Sequence, residues 1–259
     1  MFDAPLDLSR ARILVTNDDG INAPGLKVLE SVARSLSKDV WVVAPEVEQS
    51  GAGHSLTLRR PLQVRRIKPR RFAVDGTPTD CVLLALNRLV PKRRPDLVLS
   101  GVNRGANLGE DVTYSGTIAA AMEATLLEIP AIALSQLREG TTIRWQAAER
   151  HAADVIRKLT SVQWPRGVLM NVNFPFAEAS GGAEIRFVRQ GRRAAGIEVV
   201  PAQDPLGRPY LWIGDFVSDD SVGPDTDLAA TRAGAISVTP LHLDLTHSAM
   251  LRKLRKSLA

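Results

Sequence analysis

Apolar residues recur along this chain in two rhythms. Short, β-prone runs at 13–15, 39–45, 95–100, 130–135 and 168–175 end on polar residues or proline, as strands covered on both faces do. Between them the spacing changes to three and four. Leu26, Leu29, Val32, Ala33 and Leu36 share one face of a helix opened by Pro24, and Ala148, Ala152, Val155, Ile156 and Leu159 share one face of another between about 145 and 159. A helix starting at Gly76-Thr77-Pro78-Thr79-Asp80 and running through Val82, Leu83, Leu86 and Leu89, and a small-residue helix over 118–124, complete the alternation.

Strand-helix-strand units join strands that run the same way, so the alternation predicts an α/β fold with a doubly wound, mostly parallel sheet. Pieces at 56–58, 62–67 and 72–74 read as an insertion or a sheet extension. From Glu184 the pattern changes to short β-prone pieces at 185–187, 197–200 and 210–213, which predict hairpins leaving the compact body. A short helix over 225–232, a returning strand over 235–240 and a terminal helix over 247–258 follow. The expected division is a core over 1–183 and a hairpin and C-terminal extension over 184–259 that packs back on it and serves subunit contacts.

Open α/β sheets bind ligands beyond the carboxyl ends of their strands. Four polar segments fall there, at 17–20, 50–55, 103–107 and 115–117. The first holds Asp18 and Asp19 side by side, and two such carboxylates repel unless a cation or proton lies between them. A plain Asp-Asp-Gly turn explains the same residues about as readily. Ser50 and Asn103, in small glycine-containing loops after later strands, add neutral oxygen donors on that edge. Asp18, Asp19, Ser50 and Asn103 together offer only oxygen, which suits Mg²⁺ or Mn²⁺ better than zinc. Ser115-Gly116-Thr117 opens the small-residue helix, where Ser115 or Thr117 can cap and the free N–H groups can bind an anion, phosphate being the expected guest. A capped helix that needs Gly116 for close packing is the competing explanation. The parts together describe metal-assisted hydrolysis of a phosphate monoester, with Asn17 and His54 as candidates to move a proton or orient water or substrate.

Composition changes this picture little. With 44% hydrophobic and 24% charged residues the chain is of ordinary globular type. One cysteine, Cys81, rules out an internal disulfide and reads as a small buried hydrophobe. No basic start leads an apolar run and no apolar run approaches bilayer length, so a cytoplasmic protein without a membrane partner is expected. The net charge of +5 favours an anionic partner. Seven bases in the thirteen residues 59–71, with no acid among them, raise the question of nucleic acid. No aromatic interrupts them before Phe72, so a strand pair with a basic solvated face is the expected structure, and no specific nucleic-acid partner is expected. The alternatives are RNA binding through those bases and a non-hydrolytic nucleotide-binding regulatory module, although the first turn lacks the Gly-x-Gly-x-x-Gly of dinucleotide sites.

Asn17-Asp18-Asp19-Gly20, Ser50-Gly51, Gly76-Thr77-Pro78, Gly101-Val102-Asn103-Arg104-Gly105-Ala106-Asn107, Tyr114-Ser115-Gly116-Thr117, Asn171-Val172-Asn173-Phe174-Pro175 and Ser237-Val238-Thr239-Pro240 occur in that order. They resemble the segments of the SurE (survival protein E) family of metal-dependent nucleotidases, over about 13–246. The resemblance implies a Rossmann-like core with protruding hairpins and a C-terminal exchange of elements that gives homodimers or homotetramers. It implies hydrolysis of nucleoside 5′- and 3′-monophosphates in the cytoplasm, with one divalent ion per subunit, and in some members cleavage of short polyphosphate. By motif position the metal ligands fall on Asp18, Asp19, Ser50 and Asn103, and the phosphate-contacting segments on Asn107 and Ser115-Gly116-Thr117. The chain departs from the family at Val47-Glu48-Gln49, where a more basic or amide-rich lead-in is usual, and in the additional lead over 1–12.

Overall fold

The computed structural model describes residues 5–179, 182–193, 196–216 and 223–258. Its first half runs β1 (Arg12–Thr16), α1 (Pro24–Leu36), β2 (Asp39–Pro45), β3 (Val64–Lys68), β4 (Arg71–Val74), α2 (Pro78–Leu84), β5 (Leu97–Arg104), α3 (Asp111–Tyr114), α4 (Gly116–Leu126) and β6 (Ala131–Gln136). The second half runs β7 (Arg138–Glu139), β8 (Thr142–Ile143), α5 (Gln146–Thr160), β9 (Val168–Phe174), β10 (Ile185–Phe187), β11 (Ile197–Gln203), β12 (Pro209–Phe216), α6 (Asp227–Arg232), β13 (Ile236–His242) and α7 (Ser248–Leu258).

Nine strands form one sheet in the order β10-β13-β9-β6-β5-β1-β2-β4-β3. The six from β9 to β4 are mutually parallel, while β13 and β3 pair antiparallel at either side. From β1 the chain winds outward through β2 and β4, then returns to lay β5 on the other flank of β1, and a crevice opens where the order reverses. Successive side chains of a strand point to opposite faces. Ile13 and Val15 accordingly join the core under α1 and α5, and Leu14 joins the core under α2 and α4. This is the doubly wound, mostly parallel sheet that the alternation predicts.

Local chemistry accounts for the helix starts. Pro24 occupies the first turn of α1, where a missing N–H costs nothing. Thr77 and Asp80 cap α2 reciprocally, the Asp80 N–H donating to Thr77 Oγ1 at 3.1 Å and the Thr77 N–H to Asp80 Oδ2 at 2.9 Å. Of the two candidates at the start of α4, Ser115 is the cap, its Oγ accepting from the Ile118 N–H at 3.1 Å.

Several elements differ from the sequence reading. The strand expected to stop at Ser100 continues to Arg104, with Asn103 and Arg104 resuming the pairing with β6 after a register irregularity. Gly101 permits this: a Cβ there would lie 2.1 Å from the Leu134 carbonyl oxygen, and its φ of +131° suits glycine. Residues 56–58 form no strand; Thr57 instead donates to the Asp80 carboxylate through both N–H and hydroxyl, at 3.1 and 2.6 Å. Beyond Leu84, α2 widens into a π-helical turn over Ala85–Leu89. β10 lies in the main sheet beside β13, whereas β11 and β12 make a separate antiparallel hairpin. No residue of α7 is buried. Among the described residues no helix is long and apolar enough to cross a membrane.

The basic stretch forms a sheet extension through β3 and β4, with much of its charge answered locally. Arg60 pairs with Asp75, Arg65 with Glu46, Arg70 with Asp39 and Arg71 with Glu30.

Candidate functional site

β1 delivers Asn17, Asp18 and Asp19 to the mouth of the crevice, and β5, in register beside it, delivers Asn103. The turn after β1 is locked from within. Asn17 is wholly buried and its Nδ2 donates to the Gly20 carbonyl at 3.0 Å, while its Oδ1 is a buried oxygen without a protein partner. Gly20 takes φ +98°, and a Cβ on it would press within 3.2 Å of the Val47 carbonyl carbon. The turn can therefore lie directly against the loop that carries Ser50.

That loop is fastened at three points. The Gln49 N–H donates to the Asp18 carbonyl at 2.8 Å, the Gly53 N–H to the Tyr114 carbonyl at 3.2 Å, and Thr57 to Asp80 as described. Ser50 itself is exposed and donates its hydroxyl to Glu48 Oε1 at 2.8 Å. From the opposite flank the Arg104 N–H donates to Asp19 Oδ2 at 3.0 Å. Asn103 points its amide nitrogen at the Gly105 carbonyl, at 2.9 Å, which leaves its amide oxygen as the acceptor. The neighbours of Ser50 and Asn103 thus bind the two-aspartate turn directly.

α4 closes the site from a third side. Gly116 sits so near Asp18 that a Cβ would lie 2.8 Å from Asp18 Cβ and 3.0 Å from its Oδ2. The Thr117 hydroxyl donates to Asp18 Oδ1 at 2.5 Å. The anion that the start of α4 contacts within the chain is thus the Asp18 carboxylate. Burial raises the Asp18 pKa to about 6; the bonds from Thr117 oppose that rise and the charge of Asp19 adds to it. Burial also raises Asp19, against the Arg104 N–H and with the help of the nearby Glu48 charge. Cys81 is buried, which raises its thiol and fits the role of a hydrophobe rather than a nucleophile.

Asn107 lies in the loop after β5 over a polar floor built by β6 and β9. Its Nδ2 donates to Ser135 Oγ at 2.7 Å, its N–H to Asn173 Oδ1 at 2.8 Å, and its carbonyl accepts from Asn171 and Asn173 at 2.8 and 3.2 Å. His54 turns toward α4, its Nε2 3.0 Å from Glu123 Oε2. The structure therefore gathers Asp18, Asp19, Asn17, Gly116 and Thr117, brings the loop of Ser50 and the end of β5 with Asn103 onto them, and anchors Asn107 on the polar floor and His54 on Glu123. Sequence reasoning gave no supporting role to Asp80, Glu123, Ser135, Asn171 or Asn173. The signal open to it for Ser135, Asn171 and Asn173 was polar residues inside otherwise apolar strands, where each burial needs a partner; Asp80 and Glu123 lie in helices.

A divalent cation fits this set. Two adjacent carboxylates, both raised by burial, Asp18 further by the charge of Asp19 and Asp19 by that of Glu48, and the amide oxygen of Asn103 offer only oxygen donors. Among the described residues no cluster of three or more His, Cys, Asp or Glu side chains is placed to hold a metal, so the neutral donors are essential to the candidate set.

The family model described as "Survival protein SurE" matches residues 13–196. The chain is 60% identical over 247 residues to the 5′-nucleotidase SurE of Paramagnetospirillum magneticum, covering 95% of each chain. It is 57% identical over 250 residues to the 5′-nucleotidase SurE of Rhodospirillum rubrum, again covering 95% of each. The crystal structure of the SurE protein from Aquifex aeolicus superposes with a TM-score of 0.80 at 39% identity, covering 95% of this chain and 98% of that one. With the sheet, the crevice and these likenesses in agreement, the chain belongs to the SurE family.

Proposed function

We propose that this protein is a divalent-metal-dependent phosphohydrolase that releases phosphate from nucleoside 5′- and 3′-monophosphates, with short-chain polyphosphate as a further substrate. The observation that carries the reading is the convergence of three chain segments on the Asp18–Asp19 turn, through Gln49, Arg104 and Thr117. The names of the relatives support a nucleotide substrate.

In this reading Asp18, Asp19, Ser50 and Asn103 hold one Mg²⁺ or Mn²⁺ per subunit. When bound, the ion supplies Lewis-acid charge toward a phosphoryl oxygen and acidifies water. The remaining work belongs to the chain. Thr117 fixes the Asp18 carboxylate by donating its hydroxyl to Oδ1, which leaves Oδ2 as the oxygen for the ion. Asn17 sets the turn through Gly20 and keeps an oxygen for orienting water. Asn107, Ser115, Gly116 and Thr117 line the phosphate side, with backbone N–H groups as donors to oxygens that gain charge. His54, steered by Glu123, contacts substrate from the loop of Ser50. Segment 184–259 supplies the contacts of a homodimer or homotetramer. The single cysteine supports a cytoplasmic location without a membrane partner, and recovery with the periplasmic or membrane fraction would contradict this.

A substrate panel tests the activity. Phosphate release is expected from 5′- and 3′-nucleoside monophosphates in the presence of Mn²⁺, and at a lower rate from tripolyphosphate. Tight nucleotide binding with no release from any phosphate monoester would instead assign a regulatory module.

A further inference from the structure

The loop that carries Asn107 is held from beneath by the polar floor and from outside by the chain that leads into and out of the β11–β12 hairpin. Asp227, at the start of α6, makes the outer attachment. Its carboxylate is wholly buried. Oδ2 accepts the Gly109 N–H at 2.9 Å, and Oδ1 accepts the N–H groups of Gly191 and Leu228, each at 2.8 Å. Gly191 packs so closely that a Cβ would stand 2.7 Å from Asp227 Oδ1. Three further bonds lie alongside: Arg193 Nη2 to Asp111 Oδ2 at 2.6 Å, the Arg193 N–H to Glu110 Oε2 at 3.0 Å, and Gln190 Nε2 to the Gly109 carbonyl at 2.8 Å.

A carboxylate is costly to bury unless its acceptor capacity is filled. Capping α6 does not account for this one, because Thr226 already caps that helix by accepting from the Ala229 N–H. The two bonds to Gly109 and Gly191 join segments far apart in sequence, one in the candidate phosphate loop and one in the hairpin stem. We propose that Asp227 is a positioning residue for the phosphate-contacting loop, coupling its geometry to the stem of the hairpin. The proposal rests on the nucleotidase reading of that loop.

Asp227→Asn puts an amide N–H where Oδ2 now accepts from Gly109, or loses the bonds to Gly191 and Leu228 if the amide flips. The folded variant is expected to bind Mn²⁺ like the parent while its KM for AMP and its Kd for inorganic phosphate rise about tenfold, with a smaller fall in kcat. Amide exchange should quicken over 105–111 and 189–193 and stay unchanged in α5. A role confined to stability would lower the thermal midpoint and leave KM and phosphate affinity unaltered, and that result would overturn the proposal. If Asp227→Asn does not fold, Arg193→Met removes the side-chain bond to Asp111 from the parallel attachment and should raise KM several-fold, an unchanged KM counting against the coupling. A parent that releases no phosphate from AMP would defeat the nucleotidase reading, whereas the exchange measurement reads the coupling by itself.

Discussion

Asp18 carries a charge that the fold opposes. Its pKa is raised from the usual 3.8 to about 6 because burial outweighs the bonds from Thr117. The folded chain therefore holds this proton more tightly than the unfolded chain does. The stabilising contribution is complete below the unfolded value and is lost as pH rises through about 6, beyond which the ionised carboxylate costs on the order of 3 kcal/mol. Asp19 is shifted in the same direction. Asp18→Asn keeps the shape and an acceptor for Thr117, so in the presence of chelator it should raise the thermal midpoint at about pH 7.5 and lose that advantage by about pH 4. Added Mn²⁺ should reverse the order by stabilising the parent alone. Thermal unfolding at the two pH values checks this; an equal gain at both would mean that charge is not the cause.

Among the elements, the β11–β12 hairpin and α7 differ from the rest in what they leave uncovered. Leu211, Trp212 and Ile213 are consecutive in β12 and 69%, 62% and 77% exposed, so among the described residues neither face of the hairpin is covered at these positions. Met250, Leu251, Leu254 and Leu258 form an apolar stripe along α7 that also faces outward. Apolar surface of this extent marks contact with another molecule, and the proposed oligomer supplies one. Sedimentation should show dimers or tetramers for the parent and smaller species for a Trp212→Glu, Ile213→Glu double variant; a parent that sediments as a monomer would remove this account. These elements also mark a limit of sequence reading. Short β-prone pieces at 185–187, 197–200 and 210–213 predict strands, but the pattern alone does not separate β10, which enters the main sheet, from β11, which does not. The continuation of β5 to Arg104 was hidden for a related reason: glycine and asparagine read as loop residues, while pairing with β6 overrides their propensity.

At the scale of the molecule, the order of strands makes the site. Reversal between β1 and β5 sets the acidic turn beside Asn103, and the winding of β2 brings the loop of Ser50 to the same edge. This much was legible in the sequence, because buried parallel strands give near-continuous apolar runs and their polar ends stand out against them. The supports were not legible, since Asp80, Glu123, Asn173 and Asp227 act through partners far away in the chain. The basic residues in and beside β3 and β4, expected on a solvated face, likewise have partners that composition does not reveal, Arg60, Arg65, Arg70 and Arg71 pairing with Asp75, Glu46, Asp39 and Glu30. The most direct test of the whole arrangement is phosphate release from AMP as Mn²⁺ is titrated, for the parent and for Asp19→Asn. The account predicts a rate that saturates with Mn²⁺ in the parent, disappears with EDTA, returns with excess metal, and falls on the order of 100-fold in the variant. Release that survives both chelation and the substitution would contradict it.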